Sequence, residues 1–209
     1  MRCTERHGLW LWLALGLGAC AAPSGGPAGK PAVSSTPAPR TAPAPIPAAD
    51  AERRHGEALA LLRGNQIFEA EEALLALTRD HPGHSGPWTN LGLLYARGNR
   101  ADEALKALQR AVSLNPANAV AHVQLGVLYR DRKQYARARA AYETALRLNP
   151  EDPLAHLNLG ILYDAYLQQP AQALPHYRAY QRLGGGNDLR VAVWIADIES
   201  ALKSEPPAP

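Results

Sequence analysis

Of the residues able to make or break bonds in this chain, Cys20 has the most specific setting. It follows Leu17-Gly18-Ala19 at the end of an apolar run that starts at Leu9 and is preceded by Arg2 and Arg6. The run is too short to span a bilayer as a helix. A charged start, a short apolar middle and small residues at the end make residues 1–19 a secretory signal. Cys3, the other cysteine, would leave with that signal, so the mature chain has neither a disulfide nor a thiol-bound metal. His81-Pro82-Gly83-His84 is the close histidine pair of the sequence, and two ligands at a turn make a weak metal site. Gly-x-Ser-x-Gly, a phosphate-cradling glycine loop and His-Glu-x-x-His do not occur. The chain is therefore read as no enzyme, with no catalytic residue, no metal and no small-molecule substrate.

One pattern recurs along the chain at a 34-residue spacing. Gly92, Gly126 and Gly160 are each preceded by a leucine (Leu91, Leu125, Leu159) and followed three residues later by Tyr95, Tyr129 and Tyr163. Alanines stand at Ala104 and Ala138 and again at Ala111 and Ala145, and Pro116 and Pro150 close their copies. Such a period marks stacked helical hairpins that cannot bury their apolar faces alone. Small residues at Gly92 and Ala104 let two helices approach, while Leu91, Tyr95 and Leu108 fill the seam at helical spacing. A proline forces the residue before it out of the α region, so Asn115-Pro116 and Asn149-Pro150 end the second helix.

Trp88, Leu91, Gly92, Tyr95, Ala104, Leu108, Ala111 and Pro116, with Leu125, Gly126, Tyr129, Ala138, Tyr142, Ala145 and Pro150, resemble the tetratricopeptide repeat family. The resemblance implies an all-α, right-handed α-solenoid of about four hairpins plus a C-terminal capping helix. The expected repeats are 51–84, 85–118, 119–152 and 153–184. The first has Arg54, Glu57 and Ala58 where Trp, Leu and Gly are expected, as suits an end repeat facing water. The fourth carries one extra residue before Pro170, and Tyr180 replaces its second alanine. Gly184-Gly185-Gly186 then breaks the chain, and a helix over 187–203, capped by Asn187 or Asp188, is expected to close the solenoid. Its expected apolar stripe is Leu189, Val193, Trp194, Ile198 and Leu202. Residues 204–209 read as a disordered tail.

Leu17-Gly18-Ala19-Cys20 resembles the lipobox of bacterial lipoproteins, which implies a covalent lipid on Cys20 and no other cofactor. Each buried methylene adds about 0.8 kcal/mol of membrane affinity, so several acyl chains anchor durably. Ala21 in place of the aspartate associated with inner-membrane retention points to the outer membrane, facing the periplasm. Residues 20–50 form the lipidated cysteine and a tether with eight prolines between Ala21 and Asp50, whose extended reach is about 90 Å.

The net charge is +3. Arg130-Asp131-Arg132-Lys133 and Arg137-Ala138-Arg139 are the densest basic stretch, but charges alternate and no basic stripe runs along the repeats, so nucleic acid is not an expected partner.

In the tetratricopeptide family the concave face is lined by the first helix of each hairpin. The resemblance places Thr89, Asn90, Leu93, Val120, Val123, Gln124, Val127, Leu154, Leu157, Asn158 and Ile161 there, an apolar floor with a file of amides. Valines and leucines stand where carboxylate-gripping members carry lysine or arginine, so that activity is excluded. The expectation is a membrane-anchored scaffold that binds a segment of another protein. Architecturally it resembles the pilotin-like lipoproteins that assist pilus and secretion machines. An adaptor or accessory subunit for a cell-wall hydrolase or another envelope enzyme is the alternative.

Overall fold

The computed structural model describes residues 48–185 and 188–204. Cys20, the expected signal, most of the expected tether, Asn187 and the tail from residue 205 lie outside them. The described residues form helices and no strand: α1 (Ala48–Arg63), α2 (Ile67–Asp80), α3 (Ser85–Arg97), α4 (Ala101–Leu114), α5 (Ala119–Asp131), α6 (Tyr135–Leu148), α7 (Pro153–Ile161), α8 (Pro170–Tyr180) and α9 (Leu189–Ser204). Consecutive pairs fold into four hairpins, each hairpin packs on the next, and α9 closes the end against α8. The architecture is a right-handed α-solenoid. Helix α1 includes Ala48–Asp50 of the expected tether, and Asp50 in its first turn binds Arg53 at 2.7 Å and Arg54 at 3.6 Å.

Each hairpin turns through the same backbone device. Asn65, Asn99, Lys133 and Gln168 all take left-handed conformations, with φ between 55° and 60°. In the second and third hairpins the next amide reaches back over five residues, Arg100 N–H to the Tyr95 carbonyl and Gln134 N–H to the Tyr129 carbonyl, both at 2.8 Å. The left-handed residue itself bonds the carbonyl three before it, Asn99 to Ala96 and Lys133 to Arg130. These paired bonds satisfy carbonyls that a helix end otherwise leaves free.

The fourth hairpin breaks this register by one residue. Gln169 N–H reaches the Tyr163 carbonyl at 2.8 Å, over six residues rather than five. The extra residue expected before Pro170 is absorbed by a π-helical turn, Leu162–Tyr166, that continues α7. A π turn accommodates an insertion without breaking the helix. The tight seam of α7 against α8 is kept.

That seam depends on glycine. A Cβ on Gly126 would stand 2.4 Å from the Tyr142 ring, and one on Gly160 would stand 2.7 Å from Tyr177. Gly92 meets Leu108 in the same way at 2.5 Å. Both tyrosine rings are buried at these crossings, so adding a methyl group there costs about 1–3 kcal/mol through overpacking.

At the first hairpin, Arg54 takes the place of the tryptophan and binds Asp80 at 2.8 Å, while Ala58 fills the small position and is buried. At the other end Gly184 is left-handed, at φ 137°, and the Asp188 carboxylate accepts the Arg190 backbone N–H at 3.1 Å to start α9. The expected α9 stripe is corrected. Val191 and Ile198 are the buried residues, with Trp194 and Ile195 packed beside them, whereas Leu189, Val193 and Leu202 face out. Positions 191, 194, 195 and 198 recur at helical spacing and form the face toward α8.

A candidate partner-binding face on the first helices

Helix α3 lies directly against α5, and α5 against α7; α2, α4 and α6 pack instead on the first helix of the next hairpin. The first helices therefore form one continuous inner layer. Its exposed floor is apolar. Val120 on α5 is 51% exposed, and Leu154, at the same position of α7, is 57% exposed. Leu93, Val127, Leu157 and Ile161 are half-buried alongside them and pack down onto the core or border a cavity.

Two expected floor residues do not face outward. Val123 is only 5% exposed and belongs to the core, and Thr89 is buried as well. The Thr89 hydroxyl donates to the Ser85 carbonyl at 3.0 Å and accepts from Asn118 Nδ2 at 2.7 Å. Both residues lie where one first helix turns toward its neighbour, so they support the floor from below.

The amide file is largely spent inside the protein. Asn90 Nδ2 donates to His55 Nε2 at 2.7 Å, which joins α3 to α1. Asn158 Nδ2 donates to the Leu154 carbonyl at 2.8 Å, and its Oδ1 accepts from Arg130 Nη1 at 3.2 Å, which joins α7 to α5. Burial, and then the nearby His84, lower the His55 pKa, which favours the neutral ring whose Nε2 accepts the Asn90 bond. Gln124 lies between these two bridges, half-buried, with no hydrogen-bond partner among the described residues.

At the hairpin 1–2 end the floor opens into a cavity of about 340 Å³, walled by Leu62, Ile67, Leu93 and Leu94, with Asn90 and Arg97 at its edge. Arg97 stands in a column beside the rim of the expected groove, whereas Leu62 and Ile67 are not among the expected site residues. At the other end the π turn carries Tyr166 to the Tyr135 ring, 5.4 Å between centroids, with the Arg130 guanidinium 5.7 Å from the Tyr166 ring.

The histidines belong to the scaffold. His122 Nε2 donates to the Pro116 carbonyl and His156 Nε2 to the Pro150 carbonyl, each at 3.0 Å, so each ties a hairpin to the end of the one before. His81 and His84, the pair seen in the sequence, have rings 5.5 Å apart. A second pair is closer, with His156 Nδ1 and His176 Nδ1 at 3.0 Å. The basic stretch is likewise engaged internally, Arg132 with Asp102 and Arg137 with Gln134 and the Tyr129 hydroxyl. Among the described residues no three metal-binding side chains converge, and no helix is long and apolar enough to cross a membrane.

Residues 55–119 and 107–140 match tetratricopeptide repeat descriptions, and 126–165 matches a third description of the same repeat, so that the matches run unbroken from 55 to 165. The chain belongs to the tetratricopeptide repeat family. Its fold is that of a protein-interaction scaffold. No curated protein matches the sequence. Among solved structures, Pseudomonas aeruginosa pilF is similar at 20% identity, over 74% of this chain and 70% of that one, with a TM-score of 0.64. A MamA crystal structure is similar at 20% identity over 66% and 81%, with a TM-score of 0.58. MamA from Desulfovibrio magneticus RS-1 shares 23% identity over 66% and 78%, with a TM-score of 0.56. At these identities the likeness is one of fold.

Proposed function

We propose that this tetratricopeptide repeat protein is a lipid-anchored scaffold of the bacterial envelope whose inner face holds a segment of another protein and so assists assembly of an envelope complex. The observation that carries the reading is the pair Val120 and Leu154, two large apolar side chains in one column of adjoining first helices, both more than half exposed. Apolar side chains in file on a curved inner face suit the alternate side chains of an extended segment, or one stripe of a helix. With Asn90 and Asn158 committed to inter-hairpin bonds, Gln124 is the amide left to pair with the segment's backbone. Apolar fit supplies the affinity in this account.

Anchoring rests on Leu17-Gly18-Ala19-Cys20, and the proposed location is the outer membrane facing the periplasm. Assembly of a pilus or secretion machine is the proposed setting, supported by the combination of lipobox, proline-rich tether and short solenoid and by the likeness in fold to pilF. A benzophenone side chain in place of Leu154 tests the face. It should capture a partner in intact cells, and the same group in place of Arg110 on α4 should not. Equal capture from both positions would contradict the proposed face. Cys20→Ser should release the protein from membranes or leave it unprocessed; unchanged processing and membrane content would contradict the anchor.

A further inference from the structure

The chain's sole phenylalanine is an anomaly. Phe68 is 70% exposed at the first turn of α2, and Ile67 beside it is also exposed although its side chain walls the 340 Å³ cavity. A plug, Phe68, thus stands next in sequence to Ile67, a wall of the socket that the cavity offers.

The charges around them follow the same division. Glu69 and Glu72, exposed on the plug side, form no ion pair among the described residues. Arg63 and Arg97, exposed on the socket side and one repeat apart in the same column, also form none. The other charges on these hairpins divide: Glu71 pairs with Arg100 at 2.8 Å and Arg54 with Asp80 at 2.8 Å, while Glu52, Arg79, Lys106 and Arg110 form no ion pair among the described residues. A surface that carries an apolar knob flanked by unpaired acids, next to an apolar hole flanked by unpaired bases, is complementary to itself under a two-fold rotation.

We infer that the surface around the start of α2 and the neighbouring cavity is a homodimer contact, in which Phe68 of each copy enters the cavity of the other and Glu69 and Glu72 meet the partner copy's Arg63 and Arg97. The contact is small, so the association is weak and reversible, and anchoring both copies to one surface would raise their effective concentration. It leaves Val120, Val127, Leu154, Leu157 and Ile161 on hairpins 3 and 4 open, and it does not depend on what those residues bind.

Sedimentation velocity of the full-length chain in excess detergent, over a wide range of protein concentration, tests the inference. Wild type should show a monomer–dimer equilibrium, and Phe68→Ala should weaken it at least tenfold. Two charge variants give the sharper test: Glu69→Lys/Glu72→Lys and Arg63→Glu/Arg97→Glu. Each alone should be monomeric, because like charges then face each other at both contacts of the pair. Mixed together they should dimerise again, since lysine then meets glutamate at one contact and arginine meets glutamate at the other. All these positions are exposed, so helical content should be unchanged throughout. A wild type that stays monomeric at every concentration overturns the inference, as does dimerisation that survives Phe68→Ala or a mixture that fails to re-associate. Loss of a captured partner in Phe68→Ala with a monomeric wild type would likewise overturn it, and would give the cavity to that partner.

Discussion

Tyr142 and Tyr177 fill the same place in consecutive hairpins, but only one hydroxyl has a partner. Tyr177 donates to the Asp164 carboxylate at 3.2 Å, whereas the buried Tyr142 hydroxyl meets no acceptor among the described residues. The difference follows from the column above them. Asp164 in the fourth hairpin occupies the position held in the third by Arg130, which offers no acceptor.

This relationship sets two mutations of the same chemistry apart. Tyr177→Phe should cost about 1 kcal/mol, because it strands a carboxylate oxygen without its donor. Tyr142→Phe should be neutral or slightly stabilising, since it removes a buried hydroxyl that makes no bond. Urea unfolding of the two variants beside wild type checks this. A larger loss for Tyr142→Phe than for Tyr177→Phe would contradict the assignment of partners.

The paired histidines give the solenoid a defined pH response. His156 Nε2 donates to the Pro150 carbonyl, so in the neutral ring its Nδ1 is the acceptor and His176 Nδ1 the donor. Burial, and then His156, hold His176 down to about 4 from the ordinary 6.5. The folded pKa is depressed for a base. The unfolded chain therefore takes up a proton first as pH falls, and stability is lost between about 6.5 and 4 and is fully present above that window. The expected loss is on the order of 2 kcal/mol, allowing for the ring's partial exposure. His176→Gln keeps a donor toward His156 and should flatten the dependence. Unfolding measured on both sides of the window reads this directly, and an unchanged slope in the variant would contradict it.

Lys133 holds a backbone conformation that suits it poorly. It stands at φ 60°, in the column where the first two hairpins have Asn65 and Asn99. Asparagine tolerates the left-handed region better than lysine does, so Lys133→Asn should stabilise the chain by up to about 1 kcal/mol. Thermal unfolding would show the gain, and a loss would mean that Lys133 makes a contact worth more than its strain.

The hairpin seams were legible in the sequence because they rest on size alone. A 34-residue period that sets Gly126 opposite Tyr142 has few packings available, and the same column predicts Gly160 against Tyr177 once the inserted residue is allowed for. The insertion itself was visible near Pro170, but spacing cannot say that a π turn would absorb it. The floor was legible only in part. A column identifies which residues are equivalent, not how far each helix is rotated toward its neighbour, and that rotation buries Thr89 and Val123 while exposing Val120 and Leu154. His156 and His176 stand 20 residues apart across the inserted turn, so no local motif announces them. Helix α9 has apolar residues around much of its circumference. The expected stripe and the observed face share Trp194 and Ile198, and contact with α8 brings in Val191 and Ile195 in place of Leu189, Val193 and Leu202.

The central claim is that the inner face of the first helices holds a partner through its exposed apolar side chains. The direct measurement is a crosslinked capture from native membranes, with the full-length protein run beside Val120→Glu/Leu154→Glu. Both positions are more than half exposed, so the variant should keep wild-type helical content and thermal unfolding. The account predicts a partner held by wild type and weakened at least tenfold by the variant, a loss of about 1.4 kcal/mol or more. Equal capture by a variant that still folds would contradict the claim.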